Sequence, residues 1–212
     1  MQFETQRLII RPWQPSQDAR HAMDIYGDAR VMSWASDSGC DTSIRQVQGR
    51  LQRYRDHSVC ERKGVGSWAV EQKTIGRVIG HVVLMPLPDM KVAKTQRMCG
   101  IYDAPIKTEK LPATNFVEIG WQFRPSSWGF GYASEAAACV VQFAFDELNL
   151  PMLLAITLPE NKRSVAVMER LGMQRDGMTA RYYGGRSMLL YKLLAEQARP
   201  VEAQSDAADL AN

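Results

Sequence analysis

The chain has 212 residues, of which 23% are charged and 45% are hydrophobic, and its formal net charge is +3. These values are typical of one soluble globular domain, and they argue against a disordered, fibrous or membrane-spanning chain. The positive charge is too small to predict nucleic-acid binding, although it is compatible with an anionic ligand.

The N-terminal part of the sequence predicts strands and helices joined by short turns. Pro12 and Pro15 bound the first strand, Ser16 can cap the helix that follows, and Gly27 is a typical helix stop. In order, the predicted elements are a strand over 8–13, a helix over 16–27, a helix over 42–57, and strands over 67–71 and 78–85 joined by a turn at 73–76.

Periodicity is lost from residue 86 to residue 115, where four prolines interrupt the chain. A stretch of this length without periodicity is uncommon in a compact domain and is typical of a functional or surface loop. We interpret 86–115 as a long loop insertion. Two interpretations of it stay open, a solvated surface insertion and a lid over an acceptor site.

The C-terminal half carries the clearest patterns. Apolar residues alternate with polar residues or glycine over 117–123, which predicts a strand with two unlike faces. An apolar stripe at helical spacing predicts a helix over 133–148. The remaining predicted elements are a strand over 152–158, a helix that begins near Asn161 and stops at Gly172, and a final hairpin that turns at Gly184 and Gly185. The sequence therefore predicts a single domain over 1–194 and a frayed tail over 195–212.

The most informative stretch is the strand, short turn and helix start between Phe123 and Ser134. The first N–H groups of a helix have no partner within the helix, and the helix dipole adds partial positive charge there. Gly129 and Gly131 allow the backbone to wrap closely around an anion such as a diphosphate. The alternative, a plain strand–helix turn in which glycine only gives flexibility, stays open on these two residues alone.

Two common nucleotide sites do not fit this turn. A P-loop needs Gly-Lys-Ser/Thr after its glycines, and this chain continues Gly131-Tyr132-Ala133. A dinucleotide site needs a third glycine and an acidic residue on the next strand. Ser134 stands at the glycine position, and the strand over 152–158 has no carboxylate.

The motifs around the turn carry a family resemblance. They are VEIGW over 117–121, WGFGYASEA over 128–136, PEN over 159–161 with Ser164, and ERLGM over 169–173. Together they resemble the GNAT acetyltransferase superfamily, and more closely its branch of ribosomal-protein N-terminal acetyltransferases. ETQRLIIR over 4–11 is similar to the first strand of that branch. The resemblance extends from about residue 3 to residue 194.

The resemblance implies an α/β (α+β) fold in which a central, mostly antiparallel, twisted and splayed sheet of about seven strands is flanked by helices. It implies that acetyl-CoA places its pantetheine arm in the splay and its diphosphate on the turn. Ser126 departs from the wider family, which often has Gln or Arg at this position, but backbone amides do most of the binding. The cofactor-binding residues that the resemblance implies are Trp121, Phe123, Trp128, Gly129, Phe130, Gly131, Tyr132, Ala133, Ser134 and Asn161.

Acyl transfer to an amine requires a base, because a protonated amine cannot attack a thioester. Glu118 is the candidate base, since it lies on the strand face opposite Val117 and Ile119, and His81 is the reserve. A solvated or ion-paired role for Glu118 stays open. Related enzymes often place a tyrosine acid where this chain has Met168, and the resemblance suggests that Ser164 orients water or the leaving thiol. A helix-capping role for Ser164 stays open as well.

The predicted function is therefore an N-acetyltransferase that moves an acetyl group from acetyl-CoA to a primary amine by direct attack in a ternary complex. The acceptor is a protein N-terminus, a peptide or a small amine. The alternatives are a catalytically weak acyl-CoA-binding module and a protein-interaction module of the same fold.

The remaining residue patterns set expectations for partners and location. The four cysteines and three histidines have no paired spacing, so we assign neither a metal nor a disulfide framework. The polar N-terminus and the lack of a long apolar run predict a cytoplasmic protein without membrane or nucleic-acid partners. A homodimer is left open.

Overall fold

The computed structural model describes residues 1–34, 39–60, 65–87 and 116–198. Most of the predicted loop over 86–115, and the predicted tail from residue 199 onward, lie outside the described residues. The strands are β1 (Phe3–Glu4), β2 (Leu8–Pro12), β3 (Gly66–Gln72), β4 (Arg77–Pro86), β5 (Val117–Phe123), β6 (Met152–Thr157), β7 (Gln174–Thr179) and β8 (Met188–Leu194). The helices are α1 (Pro15–Tyr26), α2 (Ala29–Met32), α3 (Ile44–Cys60), α4 (Tyr132–Asp146) and α5 (Lys162–Arg170).

The strands form one eight-stranded sheet in the order β1-β2-β3-β4-β5-β6-β8-β7. All neighbours are antiparallel except β5 and β6, which run parallel. The mostly antiparallel sheet is therefore confirmed, with eight strands where about seven were predicted. The strand that the prediction lacks is β1, whose two residues are too few to show a period.

The sheet splays between its two central strands. The parallel pairing of β5 with β6 is limited to Val117 with Leu153 and Glu118 with Leu154. Beyond Glu118 the two strands separate, and among the described residues no strand pairs with β5 on that side. This opening is the main feature of the fold that positions the site.

Helices cover both faces of the sheet and bury two apolar clusters. On one face α4 packs an alanine- and valine-rich stripe, which includes Ala136, Ala137 and Val140, against β2, β4 and β5. Because these side chains are small, the helix approaches the sheet closely. On the other face α1, α2 and α3 bury a second cluster that includes Trp13 and Tyr26.

The start of α1 differs from the prediction. The N-cap residue is Gln14, without a side-chain capping bond, and Ser16 lies inside the helix. The carboxylate of Asp18 instead accepts a hydrogen bond from the Gln14 N–H at 2.7 Å and pairs with Arg11 at 2.8 Å. The predicted capping by Ser16 is therefore wrong, and a first-turn carboxylate instead binds the N–H of the residue at which the helix begins.

The other predicted elements have shifts of up to three residues at their ends. α3 begins at Ile44 and ends at Cys60 rather than spanning 42–57, and α4 ends at Asp146 rather than at Leu148. Ala195–Gln197 form a short 3-10 turn at the point where the tail was predicted to begin. Within the described ranges, no helix combines the length and the apolar character that a membrane span requires.

Candidate functional site

A cavity of about 500 Å³ opens where β5 and β6 separate. One wall is the backbone of β5 from Glu118 to Phe123, and the opposite wall is the end of β6 with the first turns of α5. The turn before α4 closes one end, and Val31 and Trp34 of the α2 region line the cavity as well. The cavity therefore joins the glycine turn to the carboxylate that was predicted as the base.

The glycine turn adopts a conformation that favours glycine at two positions. Gly129 has a φ of +86° and Gly131 a φ of +77°, in the left-handed region that L-residues with a side chain rarely adopt. Gly131 is the N-cap of α4, so the free N–H groups of the first helical turn begin directly after it. The buried hydroxyl of Ser134, in the same turn, has no hydrogen-bond partner among the described residues. These features fit a bound diphosphate.

Trp128 connects the turn to the end of the strand. Its indole N–H donates a hydrogen bond to the carbonyl oxygen of Phe123 at 2.8 Å. The guanidinium of Arg163, in the first turn of α5, lies 4.5 Å from the centroid of the Trp128 ring. A cation over an aromatic face is an attractive contact. This pair places a positive charge at the cavity wall between α4 and α5.

Arg7, in the link between β1 and β2, holds the glycine turn from outside. Its Nη1 donates to the carbonyl oxygen of Phe130 at 2.9 Å, and its guanidinium lies 4.6 Å from the centroid of the Tyr132 ring. Its Nε donates to Glu135 Oε2 at 2.6 Å. Partial burial alone raises the pKa of Glu135, but hydrogen bonds from Thr5 and Arg7 outweigh burial and lower that pKa. Glu135 is therefore a fixed anchor for Arg7.

Glu118 is a buried carboxylate on the cavity wall, with 7% of its surface exposed. It accepts a hydrogen bond from the phenol of Tyr183 and forms another with the backbone of Ile156. Burial raises the pKa of Glu118 to about 7, although both hydrogen bonds act in the opposite direction. A carboxylate with this pKa is well matched to proton transfer near neutral pH.

The first turn of α5 forms the far wall of the cavity. Asn161 caps this helix, because its side-chain oxygen accepts the N–H of Ser164 at 3.2 Å. The capping role that was left open for Ser164 therefore belongs to Asn161. Both residues line the cavity, as does the buried side chain of Met168, at the position where related enzymes often have a tyrosine.

His81 does not line the cavity, so the structure argues against its reserve role as a base. Its ring is fully buried, its Nδ1 is 2.6 Å from the hydroxyl of Tyr26, and it packs among Trp13, Tyr26 and Tyr54. Burial, followed by the charge of Arg50, lowers the pKa of His81 to about 3. It is a core histidine.

The structure brings the predicted residues together with one exception. Glu118, Ser164 and nine of the ten predicted cofactor-binding residues line the same cavity. Phe130 instead points outward with 60% of its surface exposed, and its ring stacks on Tyr132 at 5.8 Å. Its predicted part in cofactor binding stays a prediction, and the cavity lining does not include its side chain.

Sequence reasoning missed Arg7 and Arg163, and it considered Tyr183 only as a residue that could line the pocket, not as a partner of Glu118. Arg7 and Tyr183 lie 123 residues from Phe130 and 65 residues from Glu118 respectively, so no local spacing could connect them. Arg163 could have been predicted from the sequence, because it lies between Asn161 and Ser164, two residues on which the family resemblance rests.

Comparisons with known proteins show the family of the chain and its fold. The sequence model of the family described as "Acetyltransferase (GNAT) domain" matches residues 7–174. The chain belongs to this family. It is therefore an acyltransferase of the GNAT fold.

Individual relatives and solved structures are similar to the chain as well. The chain is 31% identical to the uncharacterized protein YkkB of Bacillus subtilis (strain 168) over 169 residues, which cover 80% of this chain and 83% of YkkB. It is 47% identical to the uncharacterized N-acetyltransferase YnaD of the same organism over 60 residues, which cover 28% of this chain and only 35% of YnaD. The structure of Mycobacterium smegmatis RimJ in complex with CoA-disulfide is 20% identical, with a TM-score of 0.67 over 89% of this chain and 82% of RimJ. That likeness shows a shared fold.

Proposed function

We propose that this acyltransferase moves an acetyl group from acetyl-CoA to a primary amine by direct attack within a ternary complex. The observation that carries the proposal is the single cavity that joins an anion-binding turn to a buried carboxylate with a pKa near neutrality. The first feature fits the diphosphate of the donor, and the second fits a base for the acceptor.

Acetyl-CoA, the donor, is proposed to lie in the gap between β5 and β6 and on the glycine turn before α4. The diphosphate would accept hydrogen bonds from backbone N–H groups after Gly131 and from the hydroxyl of Ser134. Arg163 lies close enough to the turn, over Trp128, to add positive charge. The unpaired backbone of β5 beyond Glu118 would hold the pantetheine arm, in which amide groups need such partners. A complex of RimJ with CoA-disulfide supports this choice of donor by analogy.

The reaction follows from the positions of the side chains on the cavity wall. Glu118, directly or through water, would take a proton from the ammonium form of the acceptor, and the amine nitrogen would then attack the thioester carbonyl carbon. A backbone N–H of the splayed part of β5 would stabilise the oxyanion. The carbon–sulfur bond then breaks, the nitrogen of the new amide gives its remaining extra proton to water, and the CoA thiolate takes a proton from water that the Ser164 hydroxyl orients. Met168 supplies no proton, so positioning would contribute much of the rate.

The acceptor is proposed to be the primary amine of a protein N-terminus, a peptide or a small molecule. Val31 and Trp34 give its side of the cavity an apolar wall. Cys40 and Cys139 are free thiols among the described residues, which fits a reaction in a reducing cytoplasm.

The experiment that tests this function is a thiol-release assay with acetyl-CoA over a panel of small amines and peptides with free N-termini. We expect release that depends on the amine, together with an acetylated product identified by mass spectrometry. Peptides with blocked N-termini are the matched controls. Thiol release without an acetylated amine would show a thioesterase and contradict the proposal.

A variant of Arg7 tests the external support of the glycine turn. In Arg7→Ala the Phe130 carbonyl loses its hydrogen bond and Glu135 loses its ion pair, so the turn is held less firmly. We expect KM for acetyl-CoA to rise about threefold to fivefold while kcat changes little, in keeping with the modest strength of a partly exposed ion pair. Arg30→Ala, which removes an exposed ion pair with Asp28, is the control. An equal effect in both variants would show that Arg7 has no specific role at the turn.

A further inference from the structure

The turn of the β7–β8 hairpin places a bulky residue in an unfavourable backbone conformation. Tyr183 has a φ of +52°, in the left-handed region, and begins the short 3-10 turn Tyr183–Gly185. Residues with side chains are uncommon there and persist only where their surroundings hold them in place. The hairpin turn is therefore fixed by contacts that outweigh its local preference.

An apolar cluster provides these contacts. Tyr182 is buried against Leu87 and Leu154, and Tyr183 packs against the same cluster beside Ile156. Leu154 is the β6 partner of Glu118 in the sheet. The hairpin turn is thus anchored at the place where the pairing of β5 with β6 ends, next to the carboxylate.

The phenol of Tyr183 contacts Glu118, although Tyr183 does not line the cavity. Its hydroxyl donates a hydrogen bond to Glu118 Oε2. Among the described residues, Glu118 belongs to the cavity wall, whereas Tyr182 and Tyr183 do not. Tyr183 is therefore placed to act on the carboxylate and not on the contents of the cavity.

We propose that Tyr183 is a positioning residue for the general base, and that its hydroxyl orients the Glu118 carboxylate toward the cavity and favours its ionised form. This inference rests on the proposed function, in which Glu118 takes the proton of the amine. A phenol that donates to the carboxylate stabilises the charged form, so its loss makes ionisation of Glu118 harder. The strained backbone of the turn then has a function, because it brings the Tyr183 hydroxyl into contact with the Glu118 carboxylate.

Other charged or titratable groups lie on the elements around Glu118. Tyr182 lies next to Tyr183 in the hairpin turn, and His81 lies on β4, four residues before Met85, which is the β4 partner of Glu118. Lys192, two strands away, is paired with Asp176 at 2.5 Å. Arg163 and Arg170 of α5 line the same cavity. Of these groups, Tyr183 is the one in hydrogen-bond contact with the carboxylate, so a change at Tyr183 has the most direct effect on it.

The test compares Tyr183→Phe with the wild-type protein in two measurements. The first is the pH dependence of kcat/KM with one fixed amine, and the second is an NMR titration of the Glu118 side-chain carboxyl carbon in the ligand-free protein. We expect the acidic limb and the NMR midpoint to move to higher pH together, by about one pH unit. A shift of that size lowers activity about fivefold at pH 7 and leaves it nearly unchanged at pH 9.

Tyr182→Phe is the matched control, since it removes a neighbouring hydroxyl from the same turn. A thermal melt of each variant shows whether the hairpin remains folded. If neither measurement shifts in folded Tyr183→Phe, the inference is overturned and Glu118 can still be the base. If the NMR midpoint shifts but the kinetic limb does not, Glu118 is not the base, and the proposed mechanism fails with the inference.

Discussion

Replacing Glu118 with glutamine is expected to lower kcat about a hundredfold or more, because a positioned general base contributes on that order to proton transfer. Acetyl-CoA affinity should change little, since the glycine turn and the splayed backbone remain. In the wild-type protein, kcat/KM should fall about tenfold for each pH unit below 7, as the carboxylate with a pKa of about 7 becomes protonated. Steady-state kinetics between pH 5 and pH 9 measure both effects. A Glu118→Gln variant that retains wild-type kcat would remove Glu118 from the mechanism.

The stability of the Glu118→Gln variant shows whether a loss of activity comes from lost catalysis or from impaired folding. Burial raises the folded-state pKa of Glu118 to about 7 from an ordinary value of 4.5, so the folded protein binds this proton more tightly than the unfolded chain. The stability contributed by the protonated carboxyl is fully present below pH 4.5 and is lost as the pH rises through 7. Glu118→Gln should therefore be at least as stable as the wild type at pH 8. A large loss of stability there would mean that the variant reports folding rather than catalysis.

Replacing Gly131 with valine is expected to weaken acetyl-CoA binding tenfold or more. Gly131 has a φ of +77°, which costs a residue with a side chain on the order of 1–2 kcal/mol. A Cβ at this position also lies 3.4 Å from Arg7 Nη2, so the methyl groups of valine have to be accommodated beside the side chain that holds the turn. The N–H groups that follow Gly131 would then no longer converge on the diphosphate. Calorimetric titration with acetyl-CoA measures the loss.

Gly76→Val provides the matched control for backbone strain. Gly76 has a φ of +58° in the turn between β3 and β4, and a Cβ there meets nothing within 4 Å. Gly76→Val has a comparable backbone strain at a position outside the cavity, so its affinity for acetyl-CoA should equal that of the wild type. Equal affinity in folded Gly131→Val would show that the turn is not the donor site.

Local patterns predicted the parts of the site that lie close together in the sequence. The alternation over 117–123 predicted β5 and the side of the strand on which Glu118 lies, because the period of two follows directly from strand geometry. The glycines at 129 and 131 predicted a turn with the backbone freedom to wrap around an anion, and both have the positive φ that favours glycine there. The resemblance added the splay beside β5, which no period of the sequence shows.

Contacts between distant segments could not be predicted in this way. The turn that carries Tyr183 was predicted as a hairpin, but its contact with Glu118 depends on how β8 pairs with β6 and how Tyr182 packs. The bond of Asp18 to the Gln14 N–H at the start of α1 depends likewise on Arg11, which holds the carboxylate from the preceding strand. Propensity ranks Ser16 as a good cap, but it does not take such a tertiary ion pair into account.

The measurement that tests the central claim most directly is isothermal titration of the purified protein with acetyl-CoA, followed by the release of free thiol when amines are added. We predict binding of one acetyl-CoA per chain, and thiol release that begins only when a primary amine is present. Binding without release by any amine would support the catalytically weak acyl-CoA-binding module in place of the transferase. No binding of acetyl-CoA to the folded protein would contradict the assignment of the cavity and of the glycine turn.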